Sequence, residues 1–188
     1  MNTEELITKA NEGSISSKEI KYVYDALKNG SGEAYDFLLI LGRANATEYR
    51  DIVEQYLHHP EDPMLSRLAL QILCRYWGKA KDYIEILCEF IEGVDWDDEE
   101  DVRDMALSCA SEVFKEKNSP ELLKYVYDIF NNPHEDSISR GAAYESLAVL
   151  FGIEASKLPQ PLHFDLETDV QEEVIENAKK ILKENSLI

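Results

Sequence analysis

Three alanines, Ala69, Ala106 and Ala143, recur at intervals of 37 residues. The surrounding pattern recurs with them. Four residues on stand Leu73, Ala110 and Leu147, and eight residues on stand Trp77, Phe114 and Phe151. A step of 35 back from Ala69 reaches Ala34 and Leu38, a looser match. The segments between follow suit: Tyr49, Ile52, Val53, Tyr56 and Leu57 correspond to Tyr83, Ile86, Leu87, Phe90 and Ile91, then to Leu122, Tyr125, Val126, Ile129 and Phe130. A repeat of this length, apolar at helical spacing throughout, is the mark of stacked helical hairpins. A lone hairpin cannot bury its apolar faces, whereas a stack buries them against one another, and a small residue lets helices approach closely.

The punctuation agrees. Ser16-x-x-Glu19 is a capping box. Asp62-Pro63 and Ser119-Pro120 place a capping side chain before proline at a first helical position. Thr168-x-x-Gln171 opens a last helix, and Gly42, Gly78 and Gly152 mark helix ends. The pattern predicts helices near 3–11, 16–29, 33–42, 47–58, 63–77, 80–91, 98–117, 120–131, 137–151 and 168–185. Only Leu158 to Leu166 alternates, and it is too proline-rich for a central strand. Arg103, beside Asp101 and Asp104, is placed to tie neighbouring hairpins through carboxylates.

Asp101-Val102-Arg103-x-x-Ala106, Ser139-Arg140-x-x-Ala143 and the weaker Leu65-Ser66-Arg67-Leu68-Ala69 give the chain its family likeness: over about residues 16–152 it resembles the HEAT-repeat proteins. That resemblance implies an all-α fold, a right-handed superhelix of about four hairpins, and a role as a binding scaffold. The reading is one domain over 1–188, with repeats at 16–152, a proline-containing connector at 153–167 and a C-terminal capping helix at 168–188. On the second helices, Arg67, Gln71, Arg75, Asp104, Ser108, Glu112, Arg140 and Tyr144 are expected on the concave surface that such arrays use for binding.

No chemical constellation emerges. His58, His59, His134 and His163 form no metal-ligand spacing. The run from Asp95 fails as a calcium loop, because Glu100 stands where glycine is needed and Ala106 where glutamate is needed. There is no nucleophile elbow and no glycine-rich phosphate cradle. Cys74, Cys88 and Cys109 lie in apolar helical stretches and read as reduced, structural thiols. The expectation is a protein with no catalytic residue, no cofactor and no metal. The start lacks a basic, then apolar leader, and the longest apolar run is Phe37 to Leu41, so a cytoplasmic protein is expected.

Charge supplies the functional lead. There are 38 acidic residues against 19 basic ones, for a net charge of −19. Nucleic acid and anionic membranes are excluded as direct partners, since both are bound through Lys and Arg. Ten acids and no basic residue occupy Asp82 to Val102, and seven of them fall between Glu92 and Asp101. First-turn acids complement a helix dipole, which accounts for some of them. Seven in one loop repel one another, which points to a surface for a basic protein. Equivalent loops carry Glu61-Asp62 and Glu135-Asp136, so stacking would align an acidic ridge along one edge. The candidate partner-binding residues are Asp95, Trp96, Asp97, Asp98, Glu99, Glu100, Asp101, Asp104, Glu61, Asp62, Glu135, Asp136 and Tyr144. Trp96, flanked by acids, either anchors a cationic partner or folds back on the core. Small acidic helical-repeat proteins are similar to some immunity proteins of contact-dependent inhibition systems, which implies neutralisation of a cognate basic toxin such as a nuclease. A general HEAT-like adaptor or scaffold, and a HEAT-like enzyme or cofactor-handling protein, are the alternatives.

Overall fold

The computed structural model describes residues 2–30, 33–116 and 118–188. Among the described residues it holds ten α-helices, and no strand appears. They are α1 (Thr3–Asn11), α2 (Ser17–Lys28), α3 (Ala34–Arg43), α4 (Arg50–Glu54), α5 (Pro63–Gln71), α6 (Ile84–Glu92), α7 (Asp101–Glu116), α8 (Pro120–Asn131), α9 (Ser137–Leu150) and α10 (Glu172–Glu184). None of the described helices is long and apolar enough to cross a membrane. The chain divides into two compact units: Met1–Lys79 with Trp96–Val102, and Ala80–Asp95 with Arg103–Ile188.

In the first unit α3 is the central element, packed by α1, α2 and α5. Its sequence, AYDFLLILGR, explains this: Phe37, Leu38, Ile40 and Leu41 are all buried. The capping box at α2 forms in both directions, with Ser16 Oγ accepting the Glu19 N–H and the Ser16 N–H donating to Glu19 at 2.8 Å. Lys9 of α1 donates to the same Glu19 carboxylate at 2.7 Å, which ties the first two helices together. That bond, followed by those from Ser16, lowers the Glu19 carboxyl from its ordinary 4.5 to about 2.

Several boundaries differ from the sequence pattern, each for a local reason. α3 ends at Arg43, one residue beyond Gly42, which is buried in its last turn. A Cβ there would stand 2.7 Å from Ile72 Cγ1 and 2.9 Å from Tyr76 Cδ2, so the glycine permits a close helix contact. After α5 the helix continues through a wider π turn, Ile72–Tyr76, with the Trp77 N–H reaching the Ile72 carbonyl at 2.9 Å. The helix expected over 47–58 is a short 3₁₀ turn, Thr47–Tyr49, followed by α4 alone. Beyond α4 the Tyr56 and Leu57 N–H groups bond three residues back, tightening the turn, and the His59 N–H is taken by Ser66 Oγ at 2.9 Å. Pro63 and Pro120 open helices as expected, but neither Asp62 nor Ser119 makes a side-chain cap bond.

In the second unit α8 packs on α6, α9 and α10. The repeat-equivalent small and apolar residues Ala106, Ala110, Ala143 and Leu147 are all fully buried. Two arginines share one device. Arg103 Nε donates to the Ile91 carbonyl at 3.0 Å, and Arg140 Nε donates to the Phe130 carbonyl at 2.9 Å. Each thus ties a second helix to the end of the helix before it, at positions that correspond in the repeat. Ser146 of α9 adds a buried bond to the Leu107 carbonyl of α7 at 2.8 Å.

The connector folds back along α9. Gly152, at φ +84°, turns the chain, and the Ile153 N–H closes on the Ala148 carbonyl at 3.0 Å. Phe164 then packs against Gly141 and stacks on Tyr144 with ring centroids 5.2 Å apart. α10 begins at Glu172, not at 168. Asp165 accepts the Glu167 N–H, and Asp169 accepts the Asp165 N–H, both at 2.8 Å, so these side chains fold the segment into a loop that competes with helix. The Gln171 N–H meanwhile bonds the Tyr144 hydroxyl at 2.8 Å.

Gly42→Ala tests the α3 contact. Alanine is intrinsically the better helix former by about 1 kcal/mol, whereas overpacking costs about 1–3 kcal/mol. We expect a net loss, read as a lower urea midpoint; a rise would refute the close contact.

Candidate functional site

The acidic segment before α7 is built around one inward-facing carboxylate. Asp97 is 7% exposed, and its Oδ2 accepts the Val102 N–H at 2.9 Å. The Glu100 N–H donates to the Asp97 carbonyl at 3.0 Å, and Glu100 adopts φ +58°. Asp97 therefore closes the turn that starts α7, satisfying an N–H that the helix leaves without an internal partner. Its neighbours Asp98, Glu99 and Glu100 are left exposed.

This turn faces the loop that leads into α5. Between them lies a groove of about 380 Å³. Pro60, Pro63 and Met64 form its apolar side, Trp96 lines it, and Asp98, Glu99 and Asp101 supply its carboxylates. Trp96 is half-buried, and Met64 is 37% exposed. Glu61 and Asp62 lie on the Pro60–Pro63 loop, both exposed. Arg67 approaches Asp101 at 3.8 Å. Among the described residues no cationic side chain pairs with Glu61, Asp62, Asp98 or Glu99. The groove thus joins an apolar floor to uncompensated negative charge.

The candidates in the second unit serve other ends. Glu135 receives both terminal nitrogens of Arg103, at 3.0 and 2.8 Å, and the pair is largely buried. The carboxylate that Arg103 engages in this fork comes from the loop between α8 and α9, rather than from the neighbouring Asp101 or Asp104. Asp136 caps α9, accepting the Ile138 and Ser139 N–H groups at 2.7 and 3.1 Å and the Ser139 hydroxyl at 2.8 Å. Burial acts to raise the Asp136 carboxyl, but the Ser139 and Ile138 bonds outweigh it and hold the group below its ordinary 3.8. Tyr144, expected on an open concave face, is 1% exposed beneath Phe164, and Tyr127 is buried as well. Asp95 and Asp104 are exposed.

A second hollow, of about 410 Å³, lies among Ile91, Tyr125, Ile129 and Asn132, with the Arg103–Glu135 pair in its wall. Its cation is already matched by a carboxylate. Among the described residues no group of three or more His, Cys, Asp or Glu is placed to hold a metal ion. All three cysteines are buried thiols. Burial, then the negative charges of Glu121, Glu85 and Glu92, pushes the Cys88 thiol up to about 11, far from a reactive thiolate.

The structure therefore brings together Trp96, Asp97, Asp98, Glu99 and Asp101 with the loop of Glu61 and Asp62. The sequence reading missed the floor: Pro60, Pro63 and Met64. A signal for Met64 was present, since proline at the first helical position leaves the next residue on an unfinished first turn, off the buried stripe of Leu65, Leu68 and Ala69.

The fold and site define an all-α protein, with ten α-helices among the described residues and an acidic, aromatic-lined groove in its first unit. Comparison with protein-family models, with characterised proteins and with solved structures found no match.

Two stability experiments separate the acids that hold the fold from those that do not. Asp97→Ala removes a buried acceptor and is expected to cost about 1–3 kcal/mol, whereas D98N/E99Q stays within about 0.5 kcal/mol. The Asp136 carboxyl titrates lower when folded than when unfolded. Its contribution is complete above its ordinary value and is lost as the pH falls through the folded one. D136N removes the charge but keeps a capping oxygen, so it is expected to be less stable than the parent near neutral pH and to converge on it as the pH falls, as read by urea midpoints across the acid range.

Proposed function

We propose that this chain is a non-catalytic binding module for a basic protein, and that its hairpins stack as a HEAT-like superhelix. The observation that carries the proposal is the groove, where half-buried Trp96 and exposed Met64 meet Asp98 and Glu99, which no cation among the described residues pairs. Leaving such charges together costs stability through repulsion, and a basic partner would remove that cost on binding. A net charge of −19 would also speed encounter with such a partner and repel nucleic acid and anionic lipid.

The biological form that fits best is neutralisation. A nuclease toxin must be basic to hold nucleic acid, and an acidic surface presented by a rigid protein can occupy the same patch. This reading of the chain as an immunity protein of the contact-dependent inhibition type rests on charge, size and repeat resemblance. Glu61 and Asp62, exposed on the loop into α5, would extend the surface.

The test is co-expression and affinity capture with the product of the adjacent gene, followed by D98K/E99K in the groove. The double charge reversal is expected to weaken the complex by about tenfold or more, mainly through slower association that salt suppresses. Undiminished, salt-independent binding by the reversed variant would overturn the acidic-groove reading.

A further inference from the structure

We infer that the groove beside Trp96 is an arginine pocket: it takes one arginine side chain of the basic partner, in preference to lysine. The inference rests on the reading of the chain as a module for basic proteins and adds which chemical group the groove reads. Three features of the site favour a guanidinium. First, the apolar side formed by Pro60, Pro63 and Met64 matches the methylene stem of a long cationic side chain, which covers apolar surface while its head stays charged. Second, half-buried Trp96 lines the groove, and a planar, weakly hydrated guanidinium stacks on an indole better than a compact ammonium does. Third, Asp98 and Glu99 are exposed and unmatched by any described cation, while Asp101 stands 3.8 Å from Arg67. Carboxylates in the groove lining can accept the forked donors of arginine in pairs, and lysine has no such fork.

The pocket depends on Asp97 staying where it is. By turning inward to bond the Val102 N–H it fixes the turn, so that Trp96 and Asp98 on either side flank the groove. A bound arginine would therefore meet a largely prepared surface. The volume of about 380 Å³ accommodates one such side chain.

The experiment uses the full chain labelled at tryptophan indole nitrogen and methionine methyl groups. The chain has two tryptophans and three methionines, so Trp96 and Met64 are readily resolved as probes. Capped Gly-Arg-Gly and capped Gly-Lys-Gly are titrated at one ionic strength. We expect saturable shifts of both probes with the arginine peptide, about three- to fivefold tighter than with the lysine peptide. D98N/E99Q is expected to abolish the preference, and W96L to weaken the response read at Met64. Equal binding of the two peptides, or shifts undiminished in D98N/E99Q, would overturn the inference. So would absence of a response at Trp96 and Met64 while the chain still binds a basic protein in a salt-dependent way; that outcome would remove the arginine pocket and leave the wider function standing.

Discussion

Arg103 is the joint on which the second unit depends. Its Nε–H bonds the Ile91 carbonyl at the end of α6, and its two terminal nitrogens clasp Glu135 in the loop between α8 and α9. One guanidinium thus satisfies a helix-end carbonyl and a largely buried carboxylate together. A lysine could serve only one of these partners at a time, because its donors do not fan out in a plane. Arg140 repeats the carbonyl bond one hairpin later, at Phe130. In the first unit Arg67 points to the same role more weakly, with Asp101 at 3.8 Å.

That joint explains why the acids cannot be treated as one surface. A chain with 38 carboxylates uses some of them inside. Glu135 is held by Arg103, Asp136 by the first turn of α9, and Asp97 by the first turn of α7. Each answers a backbone or guanidinium donor that burial would otherwise leave unmet. Asp98, Glu99, Glu61 and Asp62 answer nothing within the described chain. The functional proposal rests on this second group and on the Trp96 surface beside it.

Much of the fold was legible in the sequence because its strongest signals are local. The helical spacing, the Ser16–Glu19 box and the prolines at 63 and 120 placed helices within a few residues of where they stand, and the spacing of 37 picked out alanines that are fully buried. What failed was set by contacts distant in sequence. Gly42 reads only as a helix end, and its close contact with Ile72 and Tyr76 has no local signal. Tyr144 looks like an exposed position until Phe164, carried back by the connector, covers it. Of the candidate site, the sequence located the acids and Trp96. It could not tell that Asp97 faces inward, since a capping aspartate and a free one share the same local pattern. Nor could it supply the apolar floor, which comes from a loop some thirty residues earlier in the chain.

The central claim is that arginine–carboxylate joints hold the hairpins, leaving a distinct set of acids for a partner. A double-mutant cycle measures it most directly. R103K, E135Q and the double variant are each unfolded in urea, and the coupling between the two positions is extracted. The account predicts a favourable coupling of about 1–3 kcal/mol that persists in high salt, because the pair is largely buried. A coupling near zero, or one that vanishes with added salt, would show that Arg103 and Glu135 do not form the joint and would contradict the account.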